Sequence, residues 1–119
     1  MADKKIAEKW IEKADEDFGY ASMSLEDELE FYAQICFHFH QAAEKYLKAY
    51  IVKYDLEFKK IHDLLVLLDI CSKHDAGFQE LREACVFLNR FYMSTRYPVR
   101  WESSKALMFA NMIASKVKP

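Results

Sequence analysis

The sequence is poor in the residues that interrupt regular structure. Only two Gly (Gly19, Gly77) and two Pro (Pro98, Pro119) occur in 119 residues. Turn-rich β folds use many more of both, so long uninterrupted stretches favour helices. Two isolated Gly also exclude a Gly-rich loop that cradles phosphate. The three Cys (Cys36, Cys71, Cys85) are widely spaced, and no CxxC occurs. Neither a zinc ribbon nor a redox pair is indicated, and each thiol sits among apolar neighbours as a reduced core residue would. No Glu-x-x-His is present, and His38 and His40, two positions apart, point to nearly opposite sides of a helix, so no metal site is expected. No apolar run approaches the ~20 residues of a membrane span, and the charged N-terminal segment has no signal-peptide core, so a cytoplasmic protein is expected. A basic excess is also missing. The formal net charge is −2, which gives no bulk signal for nucleic acid and leaves that partner class open. All four Arg (Arg82, Arg90, Arg96, Arg100) fall in the last third, and everything before them uses Lys.

What is abundant is apolar and aromatic: 52% hydrophobic residues and 15% aromatics, enough to build a core in one small domain spanning 1–119. Apolar residues recur at three- and four-residue steps in five segments. The first runs from about Lys4 to Ser24, with Ile6, Trp10, Ala14, Phe18, Ala21 and Leu25 on one face. An acidic turn precedes a long segment from about Leu29 to Tyr54, striped by Tyr32, Cys36, Phe39, Ala43, Tyr46 and Tyr50. The third runs from about Ile61 to Lys73, the fourth from Phe78 to Met93 and the fifth from Ser103 to Val117. Gly77 suits a helix boundary through its tolerance of left-handed dihedrals. These features predict an all-α, up-and-down bundle of four to five antiparallel helices. Aromatics crowd the second segment beyond one stripe, with Phe37 off it. Either burial on two sides of that helix or a dimer interface would account for them.

Gln34, His38, Gln41, Lys45 and Lys48 form a polar stripe on another face of the second segment. Such a stripe can hold a phosphate or a base edge; equally, it can be a solvated face with Glu44–Lys48 as an i,i+4 ion pair. His62 and Asp63 open the third segment. They read as a substrate-facing pair or, preferably, with Asp63 satisfying free N–H groups of the first turn. Arg96 and Tyr97 follow the fourth segment, with Arg100 and Trp101 beyond. A guanidinium there can grip phosphate with an aromatic ring stacked on a base, or clamp a carboxylate such as Asp63 or Glu44.

The run Cys36-Phe-His-Phe-His-Gln-Ala-Ala-Glu-Lys-Tyr-Leu-Lys48, then Ile61-His-Asp-Leu64, then Thr95-Arg-Tyr-Pro98 resembles the HEPN family, as does the opening Trp10-Ile-Glu-Lys-Ala-Asp-Glu-Asp17. The resemblance covers essentially the whole chain. It implies a helical bundle, a homodimer, nucleotide binding and pairing with a separate small nucleotidyltransferase. Some members are RNA-cleaving toxins with an Arg a few residues before a His near the fourth helix. Here the last His is His74 and the first Arg is Arg82, so no Arg precedes any His. The expectation is therefore binding rather than catalysis, with no cofactor beyond a nucleotide ligand. Lys45, Lys48 and Arg96 would hold phosphate, and His38, Gln41, His62, Asp63 and Tyr97 would shape the site. The rival readings are a metal-independent ribonuclease that brings Arg96 to His62, and a pure interaction module.

Overall fold

A computed structural model describes residues 4–93 and 97–119, and among these every regular element is helical. Five α-helices follow one another: α1 (Lys4–Glu26), α2 (Tyr32–Lys53), α3 (Leu64–His74), α4 (Arg82–Asn89) and α5 (Arg100–Val117), with a 3-10 segment at Ala76–Leu81. The all-α bundle expected from the periodicity is the one observed. Its Cα radius of gyration, 13.6 Å, is that of a compact domain of this length. No described helix is long and apolar enough to cross a membrane.

α2 is the central helix. It packs most extensively on α1 and also contacts α3, α4 and α5. Ile35, Cys36, Phe39, Ala43, Tyr46, Leu47 and Ile51 are all fully buried on it. Burial on several sides is why its aromatics exceed one stripe. Phe37, off the stripe, lies near-parallel to Tyr92 with ring centroids 6.4 Å apart. α1 meets α2 through small residues, with Ala14 and Ala21 fully buried. Ile6, placed on the α1 stripe by spacing, is instead exposed.

Two boundaries differ from the sequence reading. α3 starts at Leu64 rather than Ile61, because Asp63 is extended (φ −76°, ψ 109°) and its side chain accepts from Leu65 N. The fourth segment is split, opening as a 3-10 turn before α4 and ending at Asn89. Asp75 starts that turn by accepting from Gly77 N at 2.9 Å, and Lys116 of α5 pairs with Asp75 at 3.1 Å. Gly77 marks the boundary, yet its φ is not positive; among the described residues the left-handed positions are Glu28 (φ 60°) and Asp55 (φ 55°). What Gly77 supplies is room: a Cβ there would lie 2.9 Å from Lys116 Nζ.

Candidate functional site

The polar stripe of α2 is not an open groove. α1 lies along it, and the stripe divides into two groups. In the first, Asp17 of α1 accepts from Lys45 Nζ, while its other oxygen is 3.0 Å from His38 Nδ1. The Tyr20 ring packs edge-on against His38 at 4.8 Å. In the second group, Lys48 is buried at 5% exposure and donates to Glu44 Oε2 at 2.8 Å. Its ammonium lies 5.8 Å from the ring centroids of both Trp10 and Phe58. The expected i,i+4 pair is thus present, but it is buried rather than solvated.

The second group continues into α3. The other oxygen of Glu44 faces His62 Nδ1 at 2.8 Å. A carboxylate only accepts, so His62 donates from Nδ1 and, when neutral, keeps an acceptor at Nε2. His40 is fully buried, and its Nε2 donates to the His62 carbonyl at 3.1 Å. Burial holds His40 below its usual pKa, so its ring is neutral. Its Nδ1 lies 3.2 Å from the Gln41 carboxamide. Tyr92 joins the layer: its ring lies nearly parallel to His62 at 4.5 Å and to His40 at 5.4 Å.

At the outer edge of this layer is a shallow cleft of about 470 Å³, lined by Lys60, Ile61, His62, Asp63, Asn89, Tyr92 and Met93. It lies between the start of α3 and the turn that ends α4. Asp63 Oδ1 accepts from Leu65 N at 3.0 Å and from Asn89 Nδ2 at 2.8 Å. Asn89 Oδ1 accepts in turn from Leu64 N at 2.9 Å. The preferred structural role of Asp63, satisfying the first turn of α3, is therefore realised, while its second oxygen has no hydrogen bond among the described residues.

The predicted residues are accordingly distributed over several places. His62 and Asp63 line the cleft, and Gln41 stands behind it through His40. Lys48 reaches the same layer through Glu44, whereas His38 and Lys45 belong to the Asp17 group. Tyr97 is highly exposed, and Arg96 lies outside the described residues. Nearby, Arg90 donates to the buried Glu102 at 2.8 Å, and Glu102 also accepts from Val99 N at 3.1 Å, fixing the start of α5. Sequence reasoning missed Lys60, Asn89 and Tyr92 as cleft residues. Asn89 carried no distinct signal: it lies beside Leu88, off the seam of Phe78, Leu81, Cys85, Leu88 and Tyr92, and Gln79 is another uncharged polar residue of the same segment.

The family model of the HEPN domain matches residues 7–118. The fold is similar to the crystal structure of TT1696 from Thermus thermophilus, with 31% identity over 93% of this chain and 94% of that one and a TM-score of 0.83. It is also similar to the crystal structure of ST0689, described as an archaeal HEPN homologue, with 21% identity over 94% of this chain and 98% of that one and a TM-score of 0.70. Comparison with curated proteins gives no match.

Proposed function

The chain belongs to the HEPN domain family, and on that premise we propose that it is a nucleotide-binding protein whose ligand sits in the cleft between α3 and α4. One observation carries the reading. The cleft combines an apolar and aromatic lining (Ile61, Tyr92, Met93) with two fixed polar side chains, His62 and Asp63, and a cationic rim at Lys60. Ligand sites are typically apolar concavities with a few placed polar groups. The phosphates fall to Lys60 at the rim, and by chain position, three residues after Met93, Arg96 is proposed as the second cation. Lys45 and Lys48 already pair with Asp17 and Glu44, and drawing Lys48 out of a buried pair would cost several kcal/mol. Such a subunit would work in the cytoplasm as a homodimer, beside a small nucleotidyltransferase that uses the same nucleotide. The exposed Tyr97 and Trp101 would provide contact surface for such a partner.

Thermal unfolding with nucleotides tests the reading. A ligand at 100 times its Kd stabilises the native state by ~2.7 kcal/mol. For a domain of this size that is a rise of roughly 10 °C in Tm. The rise should shrink in Lys60→Glu and in Arg96→Ala, each compared with its own Tm without ligand. Unchanged Tm with every nucleotide at millimolar concentration would sink the reading.

A second reading rests on the Glu44–His62 pair. A carboxylate orienting an imidazole is also how a general base is built, so a ribonuclease using His62 with Arg96 is the catalytic rival. Total RNA left intact after incubation at high protein concentration without metal would remove it.

A further inference from the structure

We propose that the cleft selects guanine over the other common bases. This rests on the nucleotide-binding reading above and adds the identity of the base. The argument is one of donors and acceptors on the cleft wall. His62 Nδ1 donates to Glu44 at 2.8 Å, so in its neutral form, the form assigned to the ligand-binding state, the ring turns an acceptor, Nε2, away from the buried carboxylate. No described residue donates to that nitrogen. Beside it, Asp63 is pinned through Oδ1 by Leu65 N and Asn89 Nδ2, which leaves Oδ2 as a second acceptor.

Asn89 could have supplied a donor or acceptor of its own. Its oxygen is taken by Leu64 N at 2.9 Å and its nitrogen donates to Asp63 at 2.8 Å. The polar groups held at the start of α3 are therefore two acceptors on adjacent residues; the donors of the lining, the Lys60 ammonium and the rotatable Tyr92 hydroxyl, are on separate residues, and Lys60 stands exposed. A ligand edge complementary to this wall carries two neighbouring N–H donors. Guanine has that edge, in N1–H and the 2-amino group. Adenine and cytosine each set a ring-nitrogen acceptor beside their amino donor, and that lone pair would face an acceptor of the wall. Uracil has one N–H between two carbonyls. Ile61 and Met93 supply apolar contact for the faces of the base, and the Tyr92 ring backs His62 at 4.5 Å. A guanidinium carries the same pair of donors, so the test must separate it from the base.

The experiment measures Tm shifts and Kd for GTP, ITP, ATP, CTP and UTP, with agmatine as the guanidinium probe. GTP is expected to bind at least about tenfold more tightly than ATP, CTP or UTP. ITP, which has N1–H but no 2-amino group, should lose most of that preference. Asp63→Asn keeps a good helix cap while exchanging the cleft oxygen for an amide NH2. It should fold like the parent and lose the preference for GTP over ATP. His62→Phe keeps a ring against Tyr92 and removes Nε2, so it provides a second variant with the same expected loss. ATP binding as tightly as GTP would overturn the guanine assignment and leave nucleotide binding standing. Agmatine matching GTP would overturn it in favour of a guanidinium ligand. Failure of all five nucleotides to bind would overturn the nucleotide reading and this inference together.

Discussion

Glu44 illustrates how a single side chain organises this molecule. It is 4% exposed, and its two oxygens are shared between Lys48 on the same helix and His62 on the next. Beneath it, His40 is held below its usual pKa of 6.5, first by burial. The sign of the stability effect follows. Between the lowered folded value and about 6.5, the unfolded chain binds the proton that the folded chain refuses, so stability rises with pH through that window. On acidification from pH 7, this contribution is lost as pH falls through about 6.5 towards the folded value. Below that value it no longer changes. Tm measured from pH 7.5 to 5 is expected to fall more steeply in the parent than in His40→Gln. Equal slopes would mean that His40 is not buried in its neutral form. The thiols make a parallel case. Burial pushes Cys36 up to about 11 and both Cys71 and Cys85 up to about 12. Because the thiolate is the reactive species, all three should resist a thiol reagent at pH 8 in the native state and react together on unfolding. Titration of a thiol in the folded protein within minutes would contradict their burial.

At the level of the helices, the sequence was informative wherever one face had one neighbour. Phe109, Ala110, Ile113 and Val117 follow a single stripe, and all four are buried on α5. The Asp63 cap could be read before the Leu-rich run, although the expected start of α3 lay three residues too early. Ile61 and His62 are compatible with a helix by pattern alone, and only the extended backbone of Asp63 excludes them. The site was less legible for a related reason. Lys45 and Lys48 belong to a polar stripe by spacing, and spacing carries no record that Asp17 and Trp10 of α1 lie over them. Tyr92 and Asn89 reach the cleft only because α4 stops at Asn89 and the chain turns. Two substitutions probe these contacts. Asp63→Ala removes the acceptor for Leu65 N and should lower stability by about 1 kcal/mol in urea unfolding, whereas Asp63→Asn should stay within a few tenths. Ala14→Leu forces extra volume into a fully buried position of α1 and should cost about 1–3 kcal/mol. A neutral result for Ala14→Leu would show that α1 can lift from α2 without penalty.

For the molecule as a whole, the packing of α2 against all four other helices makes independent unfolding of any one of them costly. For α1 the question turns on one interface, because among the described helices it packs on α2, extensively, and on α5. Trp10 provides a local probe of it. The indole is partly buried on α1, 5.8 Å from Phe58 on the connection between α2 and α3, with the Lys48 ammonium at the same distance. Trp101 is 62% exposed and would report mainly solvent. In a Trp101→Phe background, fluorescence therefore follows the docking of α1, while far-UV circular dichroism follows every helix. If Glu44, Lys48 and Trp10 bind α1 into the same cooperative unit as α3, the two urea transitions should coincide in midpoint and slope. A fluorescence midpoint well below that of circular dichroism would mean that α1 undocks first. Lys45 would then lose Asp17, its partner on α1, whereas Lys48 would keep Glu44 on its own helix with the pair now open to water before the cleft is lost.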